Sequence, residues 1–441
     1  MRHLDARRLA VLAALVLAAP WIARFYTRNA RLGAVPETIA AGVTAYALAD
    51  AGTADVTAYY PPRDFPHGLL YGVARYPTGL YGIEPIASPL TFAPFLRPYR
   101  GMPPESVRIR WTLFHATATR VTTLTLLVLA LWLVGITSLP RALLVTAIIA
   151  LATPVRTINA GGLWQHTSAG LWAVTGLALW SAAARRPALY PLAGLALALA
   201  TACRPIFVPA ALVVVWDALR DRRRLGAGVT TALVVTAIGG LALFANWYLH
   251  GSVLGGRASI VTSIAKTHAV PSYFHFTPWT WIGLLAAPSR GLFVYSPVLL
   301  FALPGLVHTL RASSPPTERL MSLAGVLVFG LYGFVATWWA GWVFGPRYMA
   351  DTLPFFAFWL VRTPLPRRGR VPLALLFVLA LGWSIAVYEV GVRAYPCGWD
   401  AHPVSVDTAP SRLWSLDDTE LSRCWTALRH RAAARVSAGS P

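Results

Sequence analysis

Glu37, Asp50, Asp55, Asp64 and Glu84 fall in one stretch without a long apolar run, residues 27–117, of a chain with only 17 acids among 441 residues. A carboxylate held about 3 Å from a hydroxyl can take its proton. Cations and hydrogen-bonding groups recur in four other polar segments. These are NAGGLWQH (Asn159–His166), GRASIVTSIAKTH (Gly256–His268), APSRGLFVYSP (Ala287–Pro297) and WWAGWVFGPRYMAD (Trp338–Asp351). An arginine in such a segment suits a phosphate or carboxylate oxygen. The sequence holds no Gly-rich phosphate loop, no Walker motif, no CxxC pair and no HExxH, so it encodes no nucleotide-driven pump and no cytosolic active site. The apolar blocks between the polar segments are nearly free of acids, which argues against an ion-coupled carrier.

The elements that must position these residues follow from composition. Hydrophobic residues make up 56% of the chain and charged ones 12%, where a soluble domain carries about a quarter charged residues. That excludes a disordered chain, and length with three cysteines excludes a disulfide-stapled mini-protein. The apolar residues fall in blocks of about 17–23, the length of a bilayer crossing. The expected fold is an all-α polytopic membrane protein with about eleven transmembrane helices and a large first extracytoplasmic loop containing amphipathic helices. Residues 1–26 read as an uncleaved signal anchor and first span, 27–117 as the loop, 118–392 as the helical bundle and 393–441 as an extracytoplasmic tail. Glu37–Ala51, with Pro36 at its start, reads as an amphipathic helix. FTPWTWIGLLAAP (276–288) is apolar but too short to span.

The net charge of +21 is scattered in short clusters between the blocks, so no nucleic-acid partner is expected. Placed on the predicted topology, the arginine clusters alternate. Arg141, Arg185–Arg186, Arg222–Arg224, Arg311 with Arg319, and Arg367–Arg368 fall in the loops that share a side with the N-terminus. The positive-inside rule puts that side, and the N-terminus, in the cytoplasm and the C-terminal tail outside. Cys397 and Cys424 both lie in the tail and are expected to form a disulfide there.

In order and spacing, five segments resemble the polytopic C-type glycosyltransferase superfamily, the bacterial relatives of the dolichyl-phosphate-mannose protein mannosyltransferases. They are VPETIAAGVTAYALADAGTADVTAYY followed by ARYPTG, then GLWQHTSAGLWA, FANWYLHGSVLGG, LLAAPSRGLFVYSP and WAGWVFGPRY. The resemblance implies transfer of a sugar from a polyprenyl-phosphate-linked donor to a glycan, lipid or protein acceptor at the extracytoplasmic face of a bacterial inner membrane. It implies an acidic base in the first loop, for which Glu37 and Asp55 stand nearest; Glu37 is the first acid after the first span, in RLGAVPET. It implies cations and polar groups for the donor: Arg290, Arg347, Tyr348, His166, Lys266, Arg75 and Tyr76. No metal ligands and no required cofactor are expected; the resemblance allows a divalent ion if the donor is a diphosphate. Each residue also has a structural reading. An acid at Glu37 favours a helix dipole, Asp55 suits a turn, and Arg290 and Arg347 suit snorkelling beside a span. A protein that binds or moves lipid-linked glycan without catalysis would share the same scaffold.

Overall fold

The computed structural model describes residues 6–27, 35–60, 72–256, 274–364 and 369–438. Lys266, Asp64 and Arg257 lie outside the described residues.

The chain is mostly helical. Its first half runs α1 (Ala6–Thr27), α2 (Pro36–Asp50), β1 (Val73–Tyr76), β2 (Gly79–Gly82), α3 (Ala87–Leu96), α4 (Pro104–Ile109), α5 (Trp111–Ile136), α6 (Leu139–Leu151), α7 (Gln165–Ala183), α8 (Tyr190–Cys203), α9 (Val208–Leu219) and α10 (Leu225–His250). The longer helices that follow are Trp279–Ala286, Leu303–Leu310, Pro316–Leu331, Leu353–Arg362, Arg370–Ala394 and Glu420–Ala438.

Among the described residues, three helices are long and apolar enough to cross a membrane: Trp111–Ile136, Arg222–His250 and Val371–Ala394. The other apolar blocks form shorter helices, among them Leu139–Leu151, Pro187–Cys203, Pro205–Leu219 and Pro297–Leu310. Proline is the local reason. Pro154, Pro187, Pro205 and Pro297 each open a 3₁₀ turn, because a ring without an N–H cannot continue an α-helical ladder. One apolar block therefore becomes two short helical pieces.

The 35–118 region departs from expectation in two ways. α2 is enclosed rather than amphipathic: Ala40, Val43, Ala45, Tyr46 and Ala47 are all fully buried, with Thr44 3% exposed. α3, α5 and β2 pack around it, and its small side chains let them approach. The region also contains an antiparallel hairpin, β1 with β2, that pairs Val73 with Gly82 and Tyr76 with Gly79. RYPTG forms the end of β1 and the turn. Gly79 takes a φ of +152°, and an added Cβ there would meet the Asp55 carboxyl carbon at 2.7 Å.

Apolar side chains gather in three clusters. The largest joins α5 to α9 with the helices after residue 279. A second lies in the 40–121 region and takes in Leu163, just before α7, and Leu171 within it. The third joins Tyr295, Phe344 and Tyr388 to the C-terminal tail around Cys424.

Candidate functional site

A polar cleft opens where these bodies meet. It is half open to solvent and is lined by Glu37, Glu84, Leu163, Trp164, Gln165, His166, Arg204 and Arg347. Each wall has its own origin. Glu37 sits in the first turn of α2, which begins at Pro36. Gln165 and His166 are the first residues of α7, so the positive end of that helix faces the cleft. Arg204 follows the last residue of α8. Arg347 opens the 3₁₀ turn Arg347–Thr352. Close approach of α2 to the 158–164 segment needs glycine, because a Cβ at Gly162 would meet Thr38 at 2.8 Å.

Two carboxylates and two guanidinium groups thus share one cleft. Arg347 Nη1 lies 3.9 Å from Glu37 Oε1, and its guanidinium stacks 4.5 Å from the Trp164 ring centre. Behind the cleft, Asp351 is 1% exposed and holds three donors. His166 Nδ1 donates to Oδ1 at 2.9 Å and Arg204 Nε to Oδ2 at 2.9 Å. Tyr332 also donates its hydroxyl to Oδ2. Arg204 Nη1 further donates to the Gln165 side-chain oxygen at 3.2 Å. The Nδ1–Asp351 bond leaves Nε2 as the His166 nitrogen directed to other partners. The buried Gln165 Nε2 and Arg347 Nε have no hydrogen-bond partner among the described residues. Buried donors of this kind need a partner such as a water or a ligand oxygen.

The sequence candidates divide accordingly. Glu37, His166 and Arg347 come together at the cleft. Tyr348 lies behind it, stacked 5.3 Å from Tyr332 and tilted 6.2 Å from His166. Arg290 is elsewhere and fully buried. Its Nη2 donates to Asp400 at 2.7 Å, its Nη1 pairs with Glu420, and both acids belong to the tail. Burial works against its charge, but Glu420 and then Asp400 outweigh this and raise its pKa. An arginine already matched by two carboxylates is not available to a phosphate, and Arg290, expected alongside Arg347 as a donor-binding cation, does not line the cleft that holds Arg347.

Asp55 is a loop clamp. It accepts from the Thr57 amide at 2.9 Å, the Thr57 hydroxyl at 2.5 Å and the Leu80 amide at 3.1 Å. Partial burial raises its pKa, but these hydrogen bonds outweigh it and the net shift is downward. Arg75 is exposed on β1, and Tyr76 packs 5.0 Å from the His250 ring. Neither lines the cleft. Cys397 and Cys424 are disulfide-bonded.

Sequence reading passed over Arg204, Gln165, Trp164, Asp351 and Tyr332, and named Glu84 without a role. The available signal was Asp351, an acid at the edge of an apolar block. Among the described residues no group of three or more His, Cys, Asp or Glu is placed to hold a metal ion. No family model, curated protein or solved structure matches the chain.

Proposed function

We propose that this chain is an integral membrane glycosyltransferase, moving a sugar from a polyprenyl-phosphate-linked donor to an acceptor hydroxyl. One observation carries the reading: Glu37, His166 and Arg347, from three separate segments of the family-like pattern, line a single cleft. In this reading the short helices are broken crossings, about eleven in total, and the arginine alternation sets the N-terminus in the cytoplasm. The cleft then faces the extracytoplasmic side of a bacterial inner membrane.

The Glu37 carboxylate takes the proton of the acceptor hydroxyl as its oxygen bonds to the anomeric carbon. The bond from that carbon to the phosphate oxygen breaks, and the lipid phosphate leaves with the electron pair. Arg347 and Arg204 neutralise the charge gathering on the phosphate. Asp351 keeps Arg204 and His166 in place.

The test is sugar transfer from a polyprenyl-phosphate-linked donor by the full chain in proteoliposomes. The unaltered protein is expected to turn over, and Arg347→Gln to lose about 10²–10³-fold in kcat/KM, as for loss of one charge-stabilising donor. Saturable binding of polyprenyl phosphate with no transfer across sugars and acceptors would replace this reading with non-catalytic glycan-lipid binding.

A further inference from the structure

The 338–351 loop carries both Arg347 and Asp351, and its backbone is not self-supporting. Ala340 has a φ of +64°, Gly341 of +71° and Gly345 of +76°. A left-handed alanine is strained, its Cβ crowding the following carbonyl oxygen, and persists only where the surroundings hold it. The surroundings here are the C-terminal tail. Trp339 Nε1 donates to Asp407 at 2.8 Å. The Gly341 carbonyl accepts from Arg290 at 3.3 Å, and Arg290 is fixed by Asp400 and Glu420. The Gly345 amide donates to Glu420 Oε2 at 2.9 Å, which also accepts from the Tyr295 hydroxyl at 2.9 Å.

Glu420 is fully buried and opens the helix Glu420–Ala438. One turn along, Cys424 ties that helix to Cys397, just beyond the end of Arg370–Ala394. From Gly345 the chain reaches the cleft in two residues, with the Arg347 amide donating to the Gly345 carbonyl at 3.0 Å.

We propose that the disulfide-closed tail is the positioning element of the cleft. Glu420, fixed by Arg290 and the Cys397–Cys424 bond, holds Gly345 and so places the Arg347 guanidinium against Trp164 and Glu37. Glu420 is a positioning residue, and the cleft is complete only once the tail is oxidised. Its effect on transfer rests on the glycosyltransferase reading; its effect on geometry does not.

The test uses the full chain in lipid nanodiscs: unaltered protein, Glu420→Ala, Glu420→Gln, and the Cys397→Ser/Cys424→Ser double variant. Two readouts need no donor: hydrogen exchange of residues 338–351 and carbodiimide labelling of the Glu37 carboxylate. In Glu420→Ala and the double variant, exchange of 338–351 is expected to rise about tenfold. Glu37 labelling rises with it, while residues 208–219 stay unchanged. Glu420→Gln keeps an oxygen for the Gly345 amide and restores most of the protection. In transfer assays Glu420→Ala raises KM for the donor about tenfold and changes kcat less.

Unchanged exchange and labelling in folded Glu420→Ala overturn the proposal. So does equal loosening of 208–219, since the tail is then only a general brace. If Glu420→Ala does not fold, chemical reduction of the unaltered protein replaces it, read by the same two outcomes. Shifted labelling in a protein that never transfers sugar removes the transferase reading and supports the positioning claim.

Discussion

Asp217 and Asp351 are both buried acids matched by an arginine and a tyrosine, yet only one belongs to a site. Asp217 is fully buried. It accepts from Trp180 at 2.8 Å, Tyr190 at 2.9 Å, Arg220 at 2.7 Å and Thr317 at 3.1 Å. Those partners close on one another: Arg224 donates to the same Tyr190 hydroxyl at 2.9 Å. The network ties α7, α8 and α9 to Pro316–Leu331 and lines no part of the polar cleft. Two of Asp351's partners, His166 and Arg204, both line the polar cleft opposite Glu37. Burial and pairing alone make a brace. A site needs paired groups with atoms left over, facing space that a ligand can enter.

The largest effect that sharpens this contrast is on stability. Asp217→Ala leaves the buried donors of Trp180, Tyr190 and Thr317 without their acceptor, while the Arg220 guanidinium reaches solvent, and is expected to cost about 1–3 kcal/mol for each buried donor left unmatched. The kcat of the folded fraction stays unchanged. Denaturation paired with transfer assays checks both, and a loss of kcat without loss of stability would break the distinction.

The Arg290 cluster lies between the two cases, buried like a brace but linked to the cleft through its loop. Burial pushes the Glu420 carboxyl from 4.5 up to about 7, against Arg290, which lowers it, with Asp400 adding to the rise. A raised carboxyl contributes stability in full below its unfolded pKa and loses it as pH rises through the folded value. Thermal stability should therefore fall as pH rises from 4.5 through about 7. Glu420→Gln should flatten that slope; a slope unchanged in the variant would remove Glu420 as its source.

Asp351→Asn keeps the shape but weakens its hold on His166 and Arg204. Supporting residues of this kind typically cost about 10–100-fold when replaced, so kcat/KM should fall by that amount with Arg347 binding geometry retained. A variant with near-normal kcat/KM would make Asp351 a brace like Asp217. Smallest is Asp55→Asn, which weakens the clamp on Thr57 and Leu80. It should cost about 1 kcal/mol of stability and leave transfer unchanged. Because the Asp55 carboxyl is shifted down, that contribution disappears only on the acid side.

Much of this was readable from composition. Three apolar runs in the sequence, 165–184, 226–249 and 371–392, coincide with the helices Gln165–Ala183, Leu225–His250 and Arg370–Ala394. Continuous apolar runs with no proline beyond the first turn state their own ends. Glu37 and Arg347 were legible because each stands beside Pro36 or Pro346 in a polar segment next to an apolar block. Arg290 looks the same locally, flanked by serine and glycine, but its partner Asp400 lies 110 residues away. Arg204 counted only as a loop charge, since its match, Asp351, is 147 residues distant. Spacing reports neighbours along the chain; which carboxylate neutralises which arginine is decided by tertiary packing.

The central claim is that the Glu37 carboxylate does chemistry while other acids of the same region hold structure. Single-turnover transfer by Glu37→Gln, with Asp55→Asn as the matched control, tests it most directly. The account predicts a loss of about 10²–10⁴-fold for Glu37→Gln, the usual cost of removing a general base, with polyprenyl-phosphate binding retained and Asp55→Asn near normal. A Glu37→Gln protein that transfers sugar at the unaltered rate would contradict it.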